Sequence, residues 1–174
     1  MRHEQIRAKA PHPPQAGNNP PRFIADVMLG RLAKWLRIAG FDVLYSNKYS
    51  DDELIALSNS EGRILLSLDT RLLIRKPVRR FVFLESQNVQ GQIIQILKAT
   101  HITHLSSLLT RCLGCNETLI EAARESVRDS VPAYVYETHS HFKSCPRCRK
   151  IFWAGTHRRS VHQALERLLR EVAE

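Results

Sequence analysis

Two short cysteine pairs constrain this chain more than any other feature. Cys112-Leu113-Gly114-Cys115 and Cys145-Pro146-Arg147-Cys148 are both CxxC sequences, they stand 29 residues apart, and they use all four cysteines of the chain. A CxxC pair forms a tight turn that aims two sulfurs at one point, and two such turns complete a tetrahedron of thiolates. Gly114 helps the first turn bend and Pro146 stiffens the second. The spacing therefore predicts one bound zinc ion rather than a disulfide or a redox pair. Four thiolates saturate zinc and leave no open position for a water, so the ion is expected to be structural.

That reading needs reduced thiols. The first residues, MRHEQIRAKAPHPPQ, lack the apolar stretch of a secretory signal, and no apolar run approaches the ~18 residues of a membrane span. A cytoplasmic protein without a membrane partner is expected, and cysteines there stay reduced.

Residues 1–21 hold five of the eight prolines and show no apolar periodicity, which predicts a disordered tail. The rest has room for a domain over 22–110 and a smaller zinc-bearing unit over 111–174. The net charge is +9; the tail carries Arg2, Arg7 and Lys9 against Glu4, so +7 belongs to the body. A basic body attracts polyanions, nucleic acid first among them, although solubility alone explains the charge equally well.

Apolar periodicity outlines the main domain. Phe23-Ile24-Ala25 is strand-like and ends at Asp26. A helical pattern runs through Leu29, Leu32, Ala33, Leu36 and Ala39 until Gly40. Phe41 to Tyr45 reads as a strand. Ser50 followed by Glu53 is a capping box opening a helix that ends at Glu61-Gly62. Ile64-Leu65-Leu66 and Phe81 to Leu84 are further strands, and residues 90–99 are helical. Strands alternating with helices predict an α/β fold with a mainly parallel sheet. Beyond residue 110, Ala133 to Tyr136 and Ile151-Phe152-Trp153 are strand-like. A final helix starts near Ser160, with a stripe of Val161, Ala164, Leu165, Leu168, Leu169 and Val172 suited to pack on the body.

Acids follow the strands. Asp26 and Asp69 each lie at or just past the C-terminal end of an apolar strand, Asp51 and Asp52 open a helix, and Glu85 follows the fourth strand. In a parallel sheet such ends share one edge, where ligands bind. Clustered carboxylates repel unless a cation joins them, and magnesium or manganese suits oxygen ligands. Each acid also has a local explanation as a helix cap or helix-start charge. Basic residues surround them: Arg31, Lys34 and Arg37 fall near one helical face, and Arg71, Arg75, Lys76, Arg79 and Arg80 follow Asp69. Between Glu137 and Glu166 there is no acid, while Lys143, Arg147, Arg149, Lys150, Arg158 and Arg159 are all basic. Those cations would offset the net −2 of a four-thiolate zinc and present a surface for phosphates, or simply a solvated face.

The runs FIADVMLGRLAKWLRIAGFDVLY, SDDELIALSNSEGRILLSLDTRLL, RCLGCNETL and CPRCRKIFWAGTH, taken in order, resemble the Mut-seven C-terminal ribonuclease domain, a PIN-like nuclease domain carrying a zinc ribbon. The resemblance covers about residues 22–165. It implies a PIN-like parallel sheet flanked by helices, a C-terminal four-cysteine zinc ribbon and a final helix. It also implies metal-dependent cleavage of RNA. Asp26, Asp51 and Asp69 match the family's acids and would hold magnesium or manganese, with Asp52 an adjacent candidate. Ser67-Leu68-Asp69 stands where the family usually has Thr-Arg-Asp, and the fourth acid of many PIN domains has no match beyond Glu85. Trp153, Gly155 and His157 match the segment after the ribbon. The candidate RNA contacts are Arg31, Lys34, Arg37, Arg71, Arg149, Lys150, His157 and Arg158. An endoribonuclease is the reading these residues favour. The alternatives are a non-catalytic RNA-binding module with a degenerate acid cluster, and a DNA nuclease.

Overall fold

A computed structural model describes residues 20–105, 108–155 and 157–173; for 157–159 and 173 only the backbone is described. The Pro-rich segment expected to be disordered lies, but for its last two residues, outside the described residues.

Four three- or four-residue strands carry the first unit: β1 (Phe23–Ala25), β2 (Val43–Tyr45), β3 (Ile64–Ser67) and β4 (Phe81–Phe83). All pair in parallel in the order β2-β1-β3-β4, with Ile24 level with Leu44 on one side and Leu65 on the other. Side chains alternate across a strand, so the same three residues serve two cores. Phe23, Ala25, Ile64, Leu66 and Val82 face one layer. Ile24, Leu65 and Phe81 face the other. Such strands read as continuous apolar runs because both faces are covered.

Helices α1 (Gly30–Ile38) and α4 (Val89–Thr100) cover the first face, and α2 (Asp51–Glu61) and the short α3 (Thr70–Leu73) cover the second. Local chemistry sets their ends. Ser50 and Glu53 form the expected capping box, and the N–H of Ser50 holds the Glu53 carboxylate below its ordinary acidity range. Gly62 closes α2 with φ +64°, a left-handed backbone that favours glycine. The C-terminal helix, α6 (His157–Ala173), begins three residues before the predicted start. Its Leu165 and Leu168 are buried in the first core beside Ile93 and Ile96 of α4, as the apolar stripe predicts.

Between sheet and final helix lies the ribbon: β5 (Ile120–Ala122), β6 (Phe142–Ser144) and β7 (Ile151–Trp153), antiparallel in that order. The strand expected at Ala133 to Tyr136 is instead a helix, α5 (Ala133–Thr138). Pro132 starts it and its carbonyl accepts from both Val135 and Tyr136 N–H groups, so a turn signal overrides the β-prone side chains. The third strand is supplied by Ile120–Ala122.

A buried polar cluster joins the ribbon to the sheet. It sits at the N-terminal edge, where Asp42 precedes β2 and Arg63 precedes β3. Arg63 Nη1 donates to Asp42 Oδ1 at 2.6 Å, and Asn116 Nδ2 donates to the same oxygen at 2.7 Å. Burial opposes the charge of Asp42, but these bonds outweigh it and hold the carboxyl below its ordinary range. Its contribution is therefore present above the unfolded value of about 3.9 and lost as pH falls through the lower folded value. Urea midpoints measured from pH 6 down to pH 3 should fall for the wild type and fall less steeply for Asp42→Asn. Parallel curves would count against the assignment.

Candidate functional site

The four cysteines converge as their spacing predicts. Among the described residues they form the one group of three or more His, Cys, Asp or Glu side chains whose ligand atoms all lie within 4.8 Å of one another. Cys112 Sγ and Cys148 Sγ are 3.7 Å apart. A tetrahedron with metal–sulfur bonds of about 2.3 Å has edges of about 3.8 Å, so the thiols fit zinc. The two turns repeat each other. In each, the second cysteine's N–H donates to the first sulfur at 3.4 Å. In each, the following residue, Asn116 or Arg149, has a left-handed backbone and donates its N–H to the first cysteine's carbonyl at 2.9 Å. The thiols differ in acidity. The Lys150 N–H pulls Cys148 down to about 7, its bonding to Cys148 pushes Cys115 up to about 12, and burial raises Cys112. Metal binding displaces the protons these thiols hold and supplies folding energy to a unit with a small core.

The first turn is clamped to the α/β body. Arg37, near the C-terminal end of α1, is 4% exposed. It donates to Val43 O from Nε at 3.1 Å and Nη2 at 2.8 Å, and from Nη1 to Leu113 O at 2.8 Å and Gly114 O at 3.1 Å. Asn116 Oδ1 accepts from Val43 N–H at 2.9 Å. Arg37 was expected to face RNA with Arg31 and Lys34; the structure corrects this. Its guanidinium is spent on backbone carbonyls of the zinc turn, and burial lowers its pKa against the pull of Cys112 and Cys115.

The acids occupy the opposite edge of the sheet. Asp26 directly follows β1, Asp69 lies two residues past β3, Asp51 and Asp52 open the helix after β2, and Glu85 lies two past β4. Strand order reverses between β1 and β3, which makes Asp26 and Asp69 neighbours at the topological switch point. Asp26 is 6% exposed. Its Oδ1 accepts from Val27 N–H and its Oδ2 from Ser67 Oγ, each at 2.6 Å. Ser67 Oγ in turn accepts from Asp69 N–H at 2.9 Å, so one buried hydroxyl ties the two acids together. Asp69 caps α3 through Arg71 N–H at 2.7 Å. Tyr45 Oη donates to Val27 O at 3.0 Å and fixes the turn after Asp26. Asp51 and Asp52 are exposed and both ion-pair with Arg75, Asp51 at 3.8 Å. Asp26, Asp51 and Asp69 do not close to a compact triad.

The family model for the Mut7-C RNAse domain matches residues 21–165, which covers the sheet, the acids and the ribbon. The chain belongs to the Mut7-C RNAse domain family. No curated protein and no solved structure matches it. Membership points to a ribonuclease-type function and to RNA as the substrate class.

In this Mut7-C chain the predicted basic residues fall on two separate surfaces. Arg31, Lys34 and Arg71 are exposed on helices that start at the acidic edge. Arg149 and Lys150 are exposed on the second zinc turn. The first zinc turn is anchored at the other edge of the sheet, through Arg37 and Val43. The side chains of His157 and Arg158 lie outside the described residues. Sequence reasoning missed Ser67 and Asn116. Ser67 had a legible signal, a hydroxyl in an apolar strand two residues before an acid; Asn116 had none, because its partners are more than 70 residues away. Among the described residues no helix is long and apolar enough to cross a membrane.

Proposed function

We propose that this Mut7-C domain is a metal-dependent ribonuclease that cuts within RNA strands at the Asp26–Asp69 edge. The observation that carries the reading is Asp26. Its carboxylate is buried, and among the described residues no cation pairs with it. Buried charges are ordinarily paired or hold a metal, since an uncompensated one is costly. A carboxylate offers about four acceptor sites. Asp26 uses two on Val27 N–H and Ser67 Oγ, which leaves room for a cation at the switch point with Asp69 beside it.

Asp26 and Asp69 are therefore the residues that fit magnesium or manganese, and Asp51 joins them only as Arg75 releases it. Such an ion, when bound, neutralises phosphodiester charge and makes a water acidic enough to attack. Ser67 holds both acids in register. Arg31, Lys34 and Arg71 grip the RNA backbone on either side.

Cleavage of a labelled RNA with manganese, with EDTA, and by Asp26→Asn and Asp69→Asn tests the reading. EDTA should abolish cleavage. Asp26→Asn should lower the rate roughly 100-fold or more, the scale of losing a charge-stabilising group at the reacting centre. Equal rates for the variants and wild type would sink the acid assignment. The ion pairs of Arg75 with Asp51 and Asp52 favour a second reading, a non-catalytic RNA-binding module. RNA binding without cleavage under any divalent metal would establish that one instead.

A further inference from the structure

A groove of about 280 Å3 opens between α1, the start of α4 and α6. Its floor is apolar, with Ile93 and Leu168 buried beneath it. Trp35 forms one wall, Arg31 stands at the rim, and Asn88 and Gln90 supply amides. No acid lines it, and among the described residues no carboxylate pairs with Arg31.

Two of its lining residues, Arg31 and Asn88, stand at helix starts that follow the C-terminal ends of β1 and β4. Arg31 lies in the first turn of α1, five residues past Asp26, and Trp35 lies about one turn further along the same face, roughly 6 Å on. Asn88 caps α4, which follows the C-terminal end of β4; its Oδ1 accepts from Gly91 N–H, leaving its NH2 group for a ligand. An apolar slot alone would suit any small hydrophobe. An indole wall, an unpaired guanidinium at the mouth and side-chain amides together suit a flat heteroaromatic ring that carries a phosphate. Single-stranded RNA is recognised by that combination: bases stack on aromatic side chains, amides read base edges, and cations take phosphates. The volume lies just below the roughly 300 Å3 at which sites for drug-sized ligands begin, so it holds one nucleotide rather than a length of strand.

We propose that this groove is a nucleotide subsite for single-stranded RNA, with a base against Trp35 and its phosphate on Arg31, beside the strand's passage over Asp26. The assignment rests on the RNA reading above and adds where a neighbouring nucleotide is held. Trp35 and Trp153 are the two tryptophans of the chain, so Trp153→Phe leaves Trp35 as the one reporter. Titrating that variant with a six-nucleotide oligouridylate in EDTA should quench Trp35 emission to a saturable limit. Arg31→Gln, an exposed change, should weaken binding roughly tenfold and flatten the salt slope of log K by about 0.7. Trp35→Leu should weaken it by a similar factor, read by anisotropy of a labelled oligonucleotide. Binding that leaves Trp35 emission unchanged, or Arg31→Gln with wild-type affinity, would overturn the subsite. The measurement needs no catalysis, so an inactive chain that quenches keeps the subsite and loses the nuclease. A chain that cleaves RNA without quenching does the reverse.

Discussion

Replacing Cys145 with serine is expected to abolish zinc binding and unfold the ribbon while leaving the α/β body folded. The core around the sulfurs is small: Leu119 and the half-buried Phe152 are its only apolar members besides the cysteines among the described residues. The two cysteine turns depend on a metal, a dependence of about 10–16 kcal/mol near pH 7 in isolated zinc fingers, and the only other core of the ribbon among the described residues is the small cluster of Val127, Val135 and Phe142. The first turn is bound to the body through Arg37 and Asn116, whereas the second turn's sulfurs meet it through the metal. Amide exchange should therefore accelerate most at residues 142–153 and less at 112–116. Helix α6 should keep its protection, because its partners are α4 and the sheet core rather than the ribbon. A chromogenic zinc assay should give one equivalent for the wild type and none for the variant. One equivalent in both would overturn the four-cysteine site.

Arg37→Ala should destabilise the protein by roughly 3–5 kcal/mol, because bonds to a charged donor are worth about 1.5–3 kcal/mol each and their loss strands the buried Val43 carbonyl, although water can reach the exposed Gly114. Val43 O, Leu113 O and Gly114 O would all lose their donor. Arg37→Lys should recover only part, since an ammonium cannot fork across carbonyls on two segments as a guanidinium does. Urea unfolding gives the loss, and anisotropy with labelled RNA separates it from a binding role. A change below 1 kcal/mol accompanied by weakened RNA binding would restore the surface role that its helical spacing suggested. Arg31→Gln, by contrast, should leave the urea midpoint nearly unchanged.

Features decided within a few residues of each other were legible from the sequence. The strand ending at Ala25, the box of Ser50 and Glu53, the stop at Gly62 and the stripe on α6 all follow from periodicity and local hydrogen bonding. The CxxC spacing was enough for the four-cysteine cluster, since each turn is closed by its own backbone. The acids were legible because parallel strands bring their C-terminal ends together whatever the strand order. Ala133 to Tyr136 failed at the same local level: Pro132 starts a helix that side-chain β-preference argued against.

The sequence by itself therefore determined the layers, the zinc ligands and a row of acids along one edge. Only the tertiary structure decided which edge the zinc turn joins. It put Cys112 to Asn116 on the edge opposite Asp26, buried Arg37 beneath them, and linked Asp26 to Asp69 through Ser67. It also brought α6 beside α1 to wall the groove at Trp35. The physical reason is range. Helical spacing puts Arg31, Lys34 and Arg37 near one face, but a segment 76 residues away covers the last of them, and no pattern along the chain records which distant carbonyls will need a donor.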